Sequence, residues 1–158
     1  MPALENLDVQ TLVGLAAPAV ADSLLSKLRA QGFDGVKVSH GYVVQRLLED
    51  EPTVGSLAAS LGITQQGASK QVADLESLGY VERVLVPGDQ RARRVRLTPR
   101  GRAMVEAARE ARAEQERRLV EVVGPRKVAA ARQALAALLD EVGLREPVRT
   151  RRVAPPSD

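Results

Sequence analysis

Apolar side chains recur through the first thirty residues in a helical pattern. Leu4, Leu7, Leu12, Leu15, Val20, Leu24 and Leu28 are spaced by three, four or five, with Ala16 beside Leu15. This stripe predicts a first helix, bent near Pro18 and ending before Gly32. A second helix is expected from Ser39 to Asp50, with Val43, Val44, Leu47 and Leu48 on one face. Thr53 is placed to cap a short third helix that closes at Leu61-Gly62, and Thr64 to cap a fourth running to Ser77. In the fourth, Ala68, Val72, Leu75 and Leu78 form the inward stripe. After Gly79 the pattern changes to strand-like runs, Tyr80 to Val86 and Arg93 to Leu97, joined by the turn signal Pro87-Gly88-Asp89. Thr98-Pro99 then restarts a helix, a cap followed by proline at the first helical position. That helix extends to Val123 through a highly charged middle, and Gly124-Pro125 breaks it. A last helix, Arg126 to Val142, presents Leu135, Leu138, Leu139 and Val142. Beyond Arg145 the chain is rich in Pro and Arg and is expected to be disordered. No internal repeat is present.

Composition narrows this outline. At 158 residues the chain suits one domain or two small, closely packed parts. Only 2% of residues are aromatic, so Leu, Val and Ala must supply the core, which favours helix packing over a sandwich. The fold expected is mainly α (α+β). The absence of cysteine excludes disulfides and thiolate metal sites. The apolar stretch Leu12 to Val20 follows acidic Glu5 and Asp8 rather than a basic segment, so it reads as a helix and not a signal peptide. No run looks long enough to span a membrane, and a cytoplasmic protein is expected. There is no phosphate-binding Walker loop, dinucleotide glycine pattern or nucleophile elbow, and only one histidine. An enzyme is therefore not expected, nor a cofactor or metal.

Charge is concentrated where the strands lie. Arg83 to Arg102 holds seven arginines and one acid, Asp89. Guanidinium groups on a hairpin suit a grooved polyanion, and Arg91, Arg93 and Arg94 are the foremost candidates, with Arg96, Arg100 and Arg102 behind them. Asp89 stands two residues before Arg91, where a carboxylate can orient a guanidinium. Just upstream, two short helices meet across Gly62-Ile63 as a helix-turn-helix, with Leu57, Leu61, Ile63, Val72 and Leu75 as its core. With those positions inward, the second helix presents Thr64, Gln65, Gln66, Ser69 and Lys70 outward. Amide, hydroxyl and ammonium groups there match base edges and phosphates in a DNA major groove, and the helix N-terminus itself favours phosphate. A solvated face on an ordinary helical hairpin would carry similar residues; the adjoining arginine wing favours DNA.

The pattern Asp89-x-Arg91, five residues, Leu97-Thr98, two residues, Gly101 resembles the wing signature of the MarR family of winged helix-turn-helix regulators. Leu57-Ala58-x-x-Leu61-Gly62 and Leu75-Glu76-x-x-Gly79-Tyr80-Val81-x-Arg83 fit the same family in order and spacing. The resemblance spans roughly Ser39 to Arg102. It implies a winged helix with a two-stranded wing, and a homodimer intertwined through its terminal helices that reads a pseudo-palindromic operator. One departure is Gly67, inside the recognition helix, which either admits close backbone approach to DNA or weakens the helix. The expected organisation is residues 1–35 as an N-terminal dimerisation helix and 36–102 as the DNA-binding domain. Residues 103–144 are expected as C-terminal dimerisation helices, followed by a disordered tail over 145–158, whose Arg149, Arg151 and Arg152 can add nonspecific phosphate contacts. The apolar stripes of the terminal helices exceed what the winged-helix core can cover, which supports the dimer independently. Members of this family often bind a small aromatic or anionic ligand between the two parts. His40, Tyr42 and Arg46 are the candidates here, although a lone histidine at a helix start also serves as a cap. The expected function is a sequence-specific repressor whose DNA affinity responds to a small ligand. An architectural DNA binder or a helical protein-interaction adaptor are the alternatives.

Overall fold

The computed structural model describes residues 3–150 and 153–155, with all their side chains except those of Glu5, Gln90 and Arg91. A single 3-10 turn, Leu4–Asn6, precedes α1 (Val9–Ala30), which Asp8 caps by accepting the Thr11 amide. The helix continues through Pro18 unbroken. α2 (Val38–Leu47), α3 (Val54–Leu61) and α4 (Gln65–Ser77) follow, and the hydroxyls of Thr53 and Thr64 cap α3 and α4 as their positions predicted. β1 (Val81–Val86) pairs antiparallel with β2 (Asp89–Leu97), and α5 (Pro99–Val123) and α6 (Pro125–Glu141) complete the body. This is the mainly helical winged-helix architecture expected.

Three readings need correction. The return strand starts at Asp89 rather than Arg93, because the turn is only Pro87-Gly88 and Gly88 adopts φ +84°. The register then slips between Leu85, which opposes Arg93, and Val86, which opposes Asp89, so residues 90–92 are taken up as an irregularity. The segment from Arg145, expected to be disordered, begins with a short helix, α7 (Arg145–Arg149); Arg151 and Arg152 lie outside the described residues. Finally, α1 is long and apolar enough to cross a membrane, at 22 residues with a window of mean hydropathy 1.3. Because the helix passes through Gly14 and Pro18, the apolar stretch is longer than its composition suggested.

The core lies in the winged-helix lobe. Leu57, Leu61, Val72, Leu75, Tyr80, Val81 and Val95 are almost wholly buried there, with Leu28, Met104 and Val105 joining from the long helices. Tyr80 anchors the α1–α2 connection by donating its hydroxyl to the Asp34 carbonyl at 2.8 Å. The terminal helices differ: among described residues Leu28 alone is buried in α1, and Val128 alone in α6.

Candidate nucleic-acid interface

α4 shows how one helix serves core and surface together. Its 3.6-residue period buries Ala68, Val72 and Leu75 and leaves Gln65, Gln66, Ser69 and Lys70 exposed. Thr64 accepts the Gly67 amide at 3.0 Å, so its hydroxyl is engaged in capping. A Cβ on Gly67 would sit 3.1 Å from that same hydroxyl. The unexpected glycine thus leaves room for the cap, a local reason beside the two drawn from sequence.

The hairpin supplies the second half. Strand alternation puts Arg83 and Arg93 on the face that carries Val81, Val95 and Leu97 into the core. That face runs outward into a concave surface lined by Gln65, Gln66, Ser69, Arg83, Arg93 and the start of α3 at Thr53–Gly55. The fold thereby brings the polar start of α4 and two wing arginines into one groove, although they are distant in sequence.

The remaining basic residues fall elsewhere. Arg94 points to the opposite face, beside Asp50, Glu51 and Ser56, and its backbone bridges to Thr53. Arg96 is paired with Glu82 directly across the ladder at 2.7 Å, which satisfies its charge within the sheet. Asp89 accepts the Ala92 amide at 3.2 Å and so shapes the hairpin tip. Arg91 occupies that tip on β2, with its side chain outside the described residues.

Arg100 has an internal role that its place in the arginine run concealed. It donates to the carbonyls of Gly32 at 2.9 Å and Leu78 at 3.3 Å. Its guanidinium also lies 5.0 Å from the Tyr80 ring centroid and 5.6 Å from that of Phe33. One side chain thus ties the end of α1, the end of α4 and the start of α5. Nearby, Thr98 accepts the Gly101 amide at 3.0 Å and donates to the Gly79 carbonyl at 2.6 Å. Gly101 packs so closely that a Cβ would fall 2.0 Å from the Tyr80 carbonyl oxygen. The Leu97-Thr98-x-x-Gly101 spacing is therefore the joint between wing and long helix.

The three ligand candidates are not brought together. His40 is fully buried, where its Nδ1 accepts the Lys37 amide at 3.2 Å and helps to cap α2. Among the described residues its Nε2 has no hydrogen-bond partner; it faces Asp74 of α4 at 3.9 Å, while Lys37 holds the same carboxylate at 2.9 Å. Burial lowers the His40 pKa from its usual 6.5, and the Lys37 charge adds to this against the opposing pull of Asp74. The hydrogen bond from Lys37 holds Asp74 below its usual 3.8. Tyr42 lies on another side of α2, and Arg46 donates to Ser60 Oγ at 3.2 Å and to the Thr150 carbonyl at 3.3 Å. A cavity of about 160 Å³ opens instead between α1, α2 and α5, walled by Leu24, Leu28, Val44 and Met104 with Lys37, Gln45 and Arg112 as its polar lining. Its walls join two consecutive helices to a third that is distant in the chain, so no local pattern announced it.

Comparison with known proteins agrees with this geometry. Residues 34–92 match the family model described as MarR family. No curated protein matches in sequence. Among solved structures, RV1404 from Mycobacterium tuberculosis is similar with a TM-score of 0.72 at 22% identity, over 90% of this chain and 99% of that one. The S. aureus MepR–DNA complex superposes with a TM-score of 0.66 at 22% identity, over 84% and 98% of the two chains. MarR from E. coli, in its apo form, gives 0.62 at 19% identity over 84% and 98%. The fold is thus the winged helix of these solved structures, and over residues 34–92 the sequence is similar to the MarR family.

Proposed function

We propose that this protein is a sequence-specific DNA-binding transcriptional regulator that acts as a homodimer, represses its target and responds to a small ligand. The observation that carries the reading is the shared groove of Gln65, Gln66 and Ser69 with Arg83 and Arg93. A helix entering the major groove by its N-terminal end presents such amides to adenine edges, while neighbouring arginines meet the phosphates or the minor groove. The S. aureus MepR structure, which shares the fold, is a complex with DNA. Such a role places the protein in the cytoplasm, beside the chromosome.

The dimer is supported by exposed apolar surface. Val9, Leu15 and Val20 on α1, Leu119 and Val122 on α5, Leu135 on α6 and Val142 just after it are all more than two-fifths exposed. A lipid bilayer would cover α1 alone. The apolar surface continues onto α5 and α6 (Val20, Leu119, Val128 and Leu135 line one groove), so a second copy accounts for all three helices. Two lobes on such a body read two half-sites about one DNA turn apart. For the ligand, the cavity between α1, α2 and α5 is the candidate, and the cations of Lys37 and Arg112 at its apolar walls suit an aromatic or aliphatic anion.

The test is fluorescence anisotropy on the intergenic DNA beside the gene, with competitor DNA, over a range of salt. Gln65→Ala or Gln66→Ala is expected to relax base preference by about 1–3 kcal/mol. Arg93→Ala should weaken all sequences alike and reduce the salt slope by about one. A specificity ratio near unity would instead indicate an architectural binder. Affinity unaffected by both Arg93→Ala and Lys70→Ala would indicate an adaptor whose winged helix meets protein.

A further inference from the structure

The wing has an apolar side that its charge obscures. From Val81 to Leu85 the ladder with β2 is regular, pairing Val81 with Leu97, Arg83 with Val95 and Leu85 with Arg93. These side chains share one face, because opposed residues of an antiparallel pair point the same way and the strand period is two. The base of that face is core, where Val81, Val95 and Leu97 are almost wholly buried. Its outer end is not. Leu85 is 58% exposed, and the chain runs on from it as Val86-Pro87-Gly88, with no polar side chain before Asp89. Among the described residues of the winged-helix lobe, Val38 is the other large apolar side chain more than half exposed, and it walls the cavity between α1, α2 and α5. Leu85 stands on β1, apart from the helices that a second copy would cover.

A single exposed leucine needs no explanation by itself. Its setting supplies one. Its ladder partner Arg93 lines the groove that holds Gln65, Gln66 and Ser69. Arg83 lines the same groove while pairing with Glu76 of α4 at 3.7 Å. Two residues of strand carry Leu85 about 7 Å beyond Arg83, just outside the rim of the groove. With the start of α4 in a major groove, the phosphate ridge lies against Arg83 and Arg93, and the adjoining minor groove lies under Leu85. The two cations hold against the polyanion a side chain that would not seek it alone.

An apolar side chain on a minor-groove floor discriminates between base pairs. A·T and T·A present only the N3 and O2 acceptors there, whereas G·C adds the guanine N2 amino group, which projects into the groove. Leucine offers that group no acceptor, so contact would leave a donor unsatisfied and hold the side chain off the floor. Leucine is also among the apolar residues that wedge against minor-groove base steps.

We propose that Leu85 is a specificity-determining residue of the wing, which packs into the minor groove outside the α4 contacts and selects A·T over G·C pairs there. The inference rests on the DNA-binding reading above. It divides recognition between amides in the major groove and one apolar side chain in the minor groove, with the arginines as anchors between them.

The test uses the full chain and a duplex that it selects from a random pool. The outer pairs of that duplex, beyond those that respond to Gln65→Ala and Gln66→Ala, are expected to be A·T. Replacing them by G·C should weaken the parent roughly tenfold, and inosine·C, which lacks the N2 amino group, should restore binding. In Leu85→Ala, affinity for the A·T duplex should fall roughly fivefold with the salt slope unchanged, since no phosphate contact is lost. Its G·C penalty should drop below about threefold, while Leu85→Ile keeps the parental pattern. Both variants should hold the parental urea midpoint, because the side chain is exposed. Parental affinity and G·C penalty in Leu85→Ala overturn the contact, and so does a loss that comes with a smaller salt slope. Lost affinity with an undiminished G·C penalty overturns the selectivity. A Leu85→Ala chain that sediments as a smaller species also overturns the contact, because Leu85 then joins two copies. A parent that selects no duplex overturns the DNA-binding reading and this inference with it, whereas a parent that selects one and ignores Leu85 leaves that reading standing.

Discussion

Gly101→Ala is the sharpest test of how the wing is joined to the long helix. In an ordinary helix interior this substitution stabilises by up to about 1 kcal/mol, since alanine is the better helix former. Here the new Cβ would stand 2.0 Å from the Tyr80 carbonyl oxygen, where 3.0 Å is already a distance that Cβ atoms essentially never breach. The atom it meets is backbone, and that carbonyl accepts the Thr98 amide at 3.1 Å, so it cannot turn away without breaking a junction hydrogen bond. Relief requires α5 to shift by about 1 Å from the start of β1, against Thr98, Arg100 and Leu97. Overpacking of this kind costs about 1–3 kcal/mol, and a lost hydrogen bond about 1 kcal/mol more. Set against the helix propensity gain, the net expectation is destabilisation by about 2 kcal/mol, or a fall in Tm of roughly 4–8 °C. Urea unfolding followed by circular dichroism, at one fixed protein concentration, measures it. Gly41→Ala on α2, where a Cβ meets nothing within 4 Å, should move the other way. A Gly101→Ala protein as stable as the parent would refute the close-approach argument.

Other expectations follow from the same structure. His40 titrates below its usual 6.5 in the folded state, so the unfolded chain takes up its proton first as pH falls. Stability should therefore decline as pH drops below about 6.5, and His40→Gln should flatten that limb of a denaturation series. Asp74, held below 3.8 by Lys37, acts in a lower window: its contribution is present above that value and fades as pH falls through the folded pKa, which a Lys37→Met chain would show as a flatter acid limb. Leu61→Ala empties a fully buried site in the helix-turn-helix and should cost about 2–5 kcal/mol by urea titration. Arg96→Ala removes an exposed pair with Glu82 and should change stability by less than about 1 kcal/mol; a larger loss would show that the pair is structural. Leu135→Asp, on the exposed face of α6, should shift sedimentation toward monomer, and an unchanged profile would count against the dimer reading.

Much of the fold was legible because its signals are local. Thr53, Thr64 and Thr98 each precede a helix and cap it, and the stripe Ala68, Val72, Leu75 turned inward as its period required. The outward face of α4 followed by subtraction. The arginine run was harder to read, because charge along a strand does not reveal what each guanidinium meets. Arg96 found Glu82 across the ladder, Arg100 found Gly32 and two aromatic rings, and Arg93 reached the groove. The strand start was misjudged because a two-residue turn with an irregular register has no simple alternation to betray it.

By itself, then, the sequence determined that α1 to α6 are helices and that a hairpin follows α4, that Thr53, Thr64 and Thr98 cap their helices, and which face of α4 is left polar. Those properties depend on residues within one or two turns of each other. The tertiary structure alone decided that α4 and β2 share a groove and that His40 is a buried cap beside Asp74 rather than a cleft residue. It also opened a cavity between α1, α2 and α5 and turned Val148 and Val153 back toward α2. Each of these joins residues tens of positions apart, and such contacts are set by the packing of whole helices, which no local pattern encodes.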